Sequence, residues 1–77
     1  MTDAARELDL RGTPCPLNFI RSKLALEKLE PGAWLQVDVD AGEPEQMVAL
    51  GLRGDGHRVE LEPLSGDAVR LRVRRHG

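Results

Sequence analysis

Four stretches of the chain alternate apolar with polar positions, and two others repeat their apolar residues at helical spacing. Glu7-Leu8-Asp9-Leu10 alternates until Gly12 and Pro14 close it, which predicts a short half-buried strand. Trp34-Leu35-Gln36-Val37-Asp38-Val39-Asp40 places Leu35, Val37 and Val39 on one face and reads as a second strand. The stretches 57–62 and 68–74 alternate as well, and Pro63-Leu64-Ser65-Gly66-Asp67 between them has the composition of a hairpin connection. Val59, Leu61, Val69, Leu71 and Val73 are expected to face a helical layer. Glu60 and Glu62 would then share the outer face with Arg70, Arg72 and Arg74, in pairs contributing roughly a few tenths of a kcal/mol each.

The first helical segment is expected over 16–29. Pro16 suits the first helical position, where a missing N–H costs nothing, and this makes Cys15 the N-cap. Pro31-Gly32 ends the segment, because the residue before a proline avoids helical backbone angles. Two apolar stripes run along it. Phe19, Ser22, Leu26 and Leu29 form one, and Leu17, Ile20 and Leu24 form the other. One sheet face covers only one stripe. The Leu17 stripe is therefore either covered by a second helix alongside, or left open as a docking surface beginning next to Cys15.

Ala41-Gly42-Glu43-Pro44 turns into the second helix, whose apolar surface comes from Met47, Val48, Leu50, Gly51 and Leu52 before Gly54-Asp55-Gly56 stops it. Gly51 weakens that helix by about 1 kcal/mol relative to alanine. A close approach of helix to sheet would explain it. Two strands joined by a helix make a right-handed βαβ unit with a parallel pair. The expected fold is an α/β two-layer sandwich of order βαβαββ, a four-stranded mixed sheet with two helices on one face. It forms a single domain over 1–77, with 1–6 frayed.

Composition narrows the chemistry. Seventy-seven residues hold one core, and a domain this small buries only about 60% of the surface its unfolded chain exposes. The single cysteine permits no internal disulfide, and with only His57 and His76 beside it a structural metal site is not expected. Phe19 and Trp34 are the only aromatics, so the core must be aliphatic. Nothing at the start resembles a signal peptide and no apolar run is long enough to span a membrane, so a cytoplasmic protein with a reduced thiol is expected. A net charge of −2 argues against direct nucleic-acid binding, although Arg70, Arg72, Arg74 and Arg75 could form a local patch. His57 and His76 read as solvated side chains.

From its position alone, Cys15 reads equally as a small packed side chain or as a working thiol. A helix N-terminus offers free N–H groups and partial positive charge to a thiolate. Reaching half ionisation at pH 7 takes roughly 2 kcal/mol, and an exposed helix terminus supplies about 0.3–1 kcal/mol. First-turn N–H groups or Arg11 would have to provide the remainder. No second cysteine is present for dithiol exchange, and neither histidine falls in an obvious position to serve as its base. What remains is a lone thiolate that acts on a partner's sulfur and carries it.

The segment Leu8-Asp9-Leu10-Arg11-Gly12-Thr13-Pro14-Cys15-Pro16 strongly resembles the opening of the TusA/SirA-like family of sulfur-carrier proteins, where L-D-x-R-G-x-x-C-P-x-P ends a strand and begins a helix. Leu29-Glu30-Pro31-Gly32 resembles the family's helix ending, and Asp40 falls where the family has an acidic residue after its second strand. The resemblance covers nearly the whole chain. It implies a persulfide on Cys15, with Pro16 setting the helix start and no cofactor. It also implies sulfur received from a cysteine desulfurase or rhodanese-like donor and passed to an acceptor protein, toward tRNA thiolation, molybdenum-cofactor assembly or sulfur oxidation. Arg11, Arg21 and Lys23 could guide an acidic partner or steady a persulfide anion, with a solvated helix face as the alternative for Arg21 and Lys23. A monomer is the simplest carrier.

Two departures from the family pattern stand out. Asn18 replaces the second proline of C-P-x-P, and Ala41-Gly42 replaces the common Asp-Pro before the second helix. If Cys15 is the N-cap, the Asn18 N–H is the one the sulfur accepts from, and asparagine restores a donor that proline lacks. The second reading is a non-catalytic interaction or regulatory module of the same fold, with Leu17, Ile20 and Leu24 as its working surface.

Overall fold

The computed structural model describes residues 6–14 and 16–76, and the elements run β1 (Arg6–Asp9), α1 (Leu17–Glu27), β2 (Trp34–Asp40), α2 (Glu43–Gly54), β3 (Arg58–Pro63) and β4 (Ala68–Arg74). The strands form one mixed sheet of order β1-β2-β4-β3. β1 lies parallel to β2, as a helix-linked pair must, while β4 runs antiparallel to both β2 and β3. Both helices cover one face. The order βαβαββ and the two-layer arrangement are those the alternation pattern predicts.

The core follows from the same alternation. Leu35, Val37 and Val39 of β2 and Leu71 and Val73 of β4 turn inward and meet Leu26 of α1 with Val48 and Leu52 of α2, all essentially without solvent exposure. The outward residues fall into cross-strand rows. Arg72 sits opposite Glu60 and Arg70 opposite Glu62, as expected, but Arg70 makes its ion pair with Asp38 of β2, through bonds of 2.9 and 3.3 Å.

Several boundaries and contacts differ from expectation. Arg6, grouped by sequence with the frayed start, is the first residue of β1, whereas residues 1–5 lie outside the described residues. Leu10 leaves the strand but still donates its N–H to the Asp38 carbonyl at 2.8 Å. α1 ends at Glu27, and Lys28 and Leu29 add two tighter turns onto Ala25 and Leu26. Leu61 points to the helical side yet is half exposed, because β3 is an edge strand and the buried Val59 lies at its start, nearest α2. Met47 and Leu50 are likewise exposed, and Val48, Ala49 and Leu52 form the inward face of α2.

The close approach at Gly51 joins helix to helix. A β-carbon there would lie 2.6 Å from Cε1 of Phe19, so α1 and α2 meet with the ring of one against the bare backbone of the other. At its start α2 is held by Gly42, whose N–H donates to Glu45 Oε1 at 2.9 Å while its carbonyl accepts from Gln46.

Candidate functional site

The turn between β1 and α1 is pinned at three points. The Arg11 backbone N–H and guanidinium both bind the Asp9 carboxylate, the guanidinium through two bonds of 2.8 Å. The Gly12 N–H donates to Asp40 Oδ2 at 2.9 Å, tying the turn to the end of β2. The Thr13 N–H closes back onto the Leu10 carbonyl at 3.0 Å. Gly12 has φ of 80° and open space around it, so it is the backbone angle that calls for glycine here.

Cys15, the expected nucleophile, lies outside the described residues. Its neighbours are both built into the first turn of α1. The Pro14 carbonyl accepts from the Asn18 N–H at 3.1 Å, and the Pro16 carbonyl accepts from the Ile20 N–H at 3.0 Å. The cap is Pro16, with φ −95° and ψ 9°, rather than Cys15, and the helix proper begins at Leu17. The helix therefore begins one residue downstream of where a cysteine cap would place it, although the bond from Asn18 to Pro14 already turns the chain ahead of it.

This shift changes what Asn18 can do. Its backbone N–H, expected to serve the sulfur, is spent on Pro14. Its side chain is fully buried, and Oδ1 accepts from the Phe19 N–H at 2.7 Å. Nδ2 has no hydrogen-bond partner among the described residues. A buried orphan donor of this kind costs about 1–3 kcal/mol. The Leu17 N–H is also engaged with none of the described residues. Just after the cysteine in sequence, two donors thus have no partner among the described residues.

Arg11, proposed by sequence as a thiolate partner, is instead occupied by Asp9. The Arg11 side-chain hydrogen bond, followed by its backbone N–H, holds the Asp9 carboxyl down at about 2, and the same pairing drives the Arg11 pKa further up. Lys23 stands 3.9 Å from Asp55 at the end of α2. Arg21 makes no ion pair among the described residues.

The Leu17 stripe is open. Leu17, Ile20 and Leu24 are 41, 45 and 53% exposed, and the expectation that a second helix covers them fails because α2 docks on the Phe19 side. Beside the stripe a shallow groove of about 330 Å³ runs between α1 and β1, walled by Arg21, Leu24 and Lys28 on one side and Glu7 and Leu8 on the other. No signal in the periodicity marked Asn18 as buried. Asp40 was visible as an acidic position, but not as the acceptor that holds Gly12.

A family model described as "Sulfurtransferase TusA" matches residues 6–75. A putative sulfur carrier protein of Archaeoglobus fulgidus is 37% identical over 57 residues, which span 74% of this chain and 65% of that protein's length. A putative sulfur carrier protein of Thermotoga maritima is 27% identical over 70 residues, covering 90% of this chain and 89% of its own. Among solved structures, a SirA-like protein from Desulfitobacterium hafniense superposes with a TM-score of 0.82 at 26% identity, covering 92% of this chain and 97% of its own.

Proposed function

The chain belongs to the TusA sulfurtransferase family, and on that premise we propose that it is a sulfur carrier which takes sulfane sulfur as a persulfide on Cys15 and hands it to an acceptor protein. In loading, the Cys15 thiolate attacks the outer sulfur of a donor persulfide. The new S–S bond forms on Cys15 as the donor's S–S bond breaks, and the donor leaves as a thiolate. Unloading is the same exchange in reverse, with the acceptor's thiolate taking the outer sulfur and Cys15 released as a thiolate. No oxidant or reductant is needed, which suits a single-cysteine protein in a reducing cytoplasm. The donor is a cysteine desulfurase or a rhodanese-like protein. The acceptor leads to tRNA thiolation, molybdenum-cofactor assembly or sulfur oxidation.

The observation that carries this reading is the framing of the cysteine. Pro14 and Pro16 on either side are fixed at the start of the helix, and the Leu17 N–H and Asn18 Nδ2, which follow in sequence, have no partner among the described residues. Donors of this kind favour a thiolate or a persulfide anion. Arg11, Gly12 and Asp40 act one step back, by holding the turn that leads into the helix. Leu17, Ile20 and Leu24, flanked by Arg21, form the surface on which partners dock.

Intact-mass measurement after incubation with a cysteine desulfurase and cysteine tests the proposal. One added sulfur atom is expected on the wild type and none on Cys15→Ser. No adduct from either a desulfurase or a rhodanese-like donor would overturn the relay. The exposed Leu17 stripe would then favour the interaction-module reading. In the carrier reading, Leu24→Asp slows loading from a protein donor and leaves loading from a small-molecule persulfide unchanged; equal slowing of both would remove the stripe from the docking surface.

A further inference from the structure

At the end of the domain opposite the cysteine segment, the ladder of charges across the open sheet face breaks. Arg70 of β4 lies between Asp38 of β2 and Glu62 of β3, and Arg72 lies between Gln36 and Glu60. Arg74, the next outward residue, has Trp34 on one side and Arg58 on the other. Like charges directly opposite on adjacent strands repel, so this row is held at a cost that its neighbours avoid. Glu60 relieves only Arg58, through one exposed contact of 3.2 Å. Arg74 reaches the Gly32 carbonyl through Nε at a long 3.4 Å and pairs with no carboxylate among the described residues.

Arg58 and Arg74 of this row wall a concavity of about 430 Å³, completed by Arg75, His76 and the turns at Gly32 and Gly56. No Asp or Glu is among the described residues that line it. Both glycines have positive φ, and a β-carbon on Gly56 would press to 3.3 Å from the His76 ring. Arg75 is fixed by donating to the Leu29 carbonyl, and the His76 backbone by donating to His57 Nδ1 at 2.9 Å. The result is a hollow with bare turns for walls and guanidinium groups around it.

We propose that this hollow binds a compact oligophosphate, the chain of two or three phosphoryl groups found in nucleoside di- and triphosphates and in inorganic polyphosphate. Guanidinium forks match phosphate oxygens in pairs, and charge-assisted bonds to them are the strong ones. The volume is of small-ligand size. A long polyanion suits the site less well, because beyond it the sheet face carries Glu60, Glu62, Asp38, Glu7 and Asp9, and the chain has a net charge of −2. The site is at the opposite end of β2 from the Gly12 turn, and its occupancy is read without reference to sulfur loading.

Amide-shift titration of the isotopically labelled protein at low salt, with tripolyphosphate, ATP and adenosine as separate probes, tests the proposal. Saturable shifts confined to 32–33, 56–58 and 73–76 are expected with the first two and none with adenosine. Equal binding of tripolyphosphate and ATP assigns recognition to the phosphate chain alone, and tighter ATP binding adds the nucleoside to it. Arg74→Gln and Arg58→Gln should each weaken binding by about tenfold, while Arg70→Gln changes it by less than about twofold. The same spectra show whether each variant is folded. Absence of saturable shifts, shifts centred elsewhere, or insensitivity to both Arg74→Gln and Arg58→Gln would overturn the proposal. So would a single-stranded RNA that binds more tightly than either phosphate probe.

Discussion

Substituting Gly51 by alanine sets two effects of opposite sign against each other. Within α2, alanine is favoured over glycine by about 0.8–1 kcal/mol. Against this, the added β-carbon would lie 2.6, 2.8 and 3.1 Å from Cε1, Cδ1 and Cζ of Phe19. Carbon atoms settle at about 3.5–4.0 Å, so the ring must retreat by roughly 1 Å. Overpacking of this kind costs about 1–3 kcal/mol. The expected balance is a loss of about 1 kcal/mol, a fall in Tm of roughly 4–8 °C for a domain of this size. Urea denaturation of the wild type, Gly51→Ala, Phe19→Ala and the double variant completes the cycle. With the ring removed, only helix propensity remains, and Gly51→Ala should then stabilise by up to about 1 kcal/mol. A gain in stability from Gly51→Ala in the wild type, or additivity within about 0.5 kcal/mol, would refute the helix–helix contact as the reason for the glycine.

Two further outcomes follow from the turn and cap. Asn18→Ala keeps the backbone bond to Pro14 and removes Nδ2, so the Cys15 thiolate pKa, followed by ultraviolet absorbance, should rise; no rise would take the side chain out of the sulfur's environment. The Asp9 carboxyl should titrate near 2 by carbon NMR and return to the ordinary carboxylate range in Arg11→Gln. Because its folded pKa is depressed, the stability it contributes is present above the ordinary carboxylate value and is lost as pH falls through about 2. A midpoint that stays low in Arg11→Gln would assign the shift to something other than the guanidinium.

Much of this molecule was legible in the alternation of its residues. The seven positions of β2 alternate without a break, and the turns before and after it carry glycine or proline, so its bounds and its inward face could be read directly. The outer face that β3 and β4 share followed from their alternating charges. Periodicity failed where the answer depends on how far a covering layer extends. Leu61, Met47 and Leu50 sit at apolar positions, but no neighbouring element reaches them. It also failed at Asn18, a polar residue flanked by Leu17 and Phe19, where the pattern assigns the buried place to the phenylalanine. Ser22, four residues on, was the available hint, since its hydroxyl donates to the Asn18 carbonyl at 2.9 Å on the same buried face. The cap was misplaced by one residue for a local reason. A proline suits the first helical position, which pointed to Cys15 as the cap, but the backbone angles of Pro16 are those of the cap itself and the helix begins at Leu17.

The bond from the Gly12 N–H to Asp40 has a consequence for traffic between partners. It fastens the cysteine-bearing connection to the end of β2, a strand flanked by others on both sides in the sheet. A carrier built in this way is no swinging arm. With Pro14 and Pro16 anchored by bonds from Asn18 and Ile20, this connection is no long tether, and the whole domain would have to be brought to each client. Donor and acceptor would then need the same end of the protein and would visit in turn, so that release from one becomes the condition for delivery to the other.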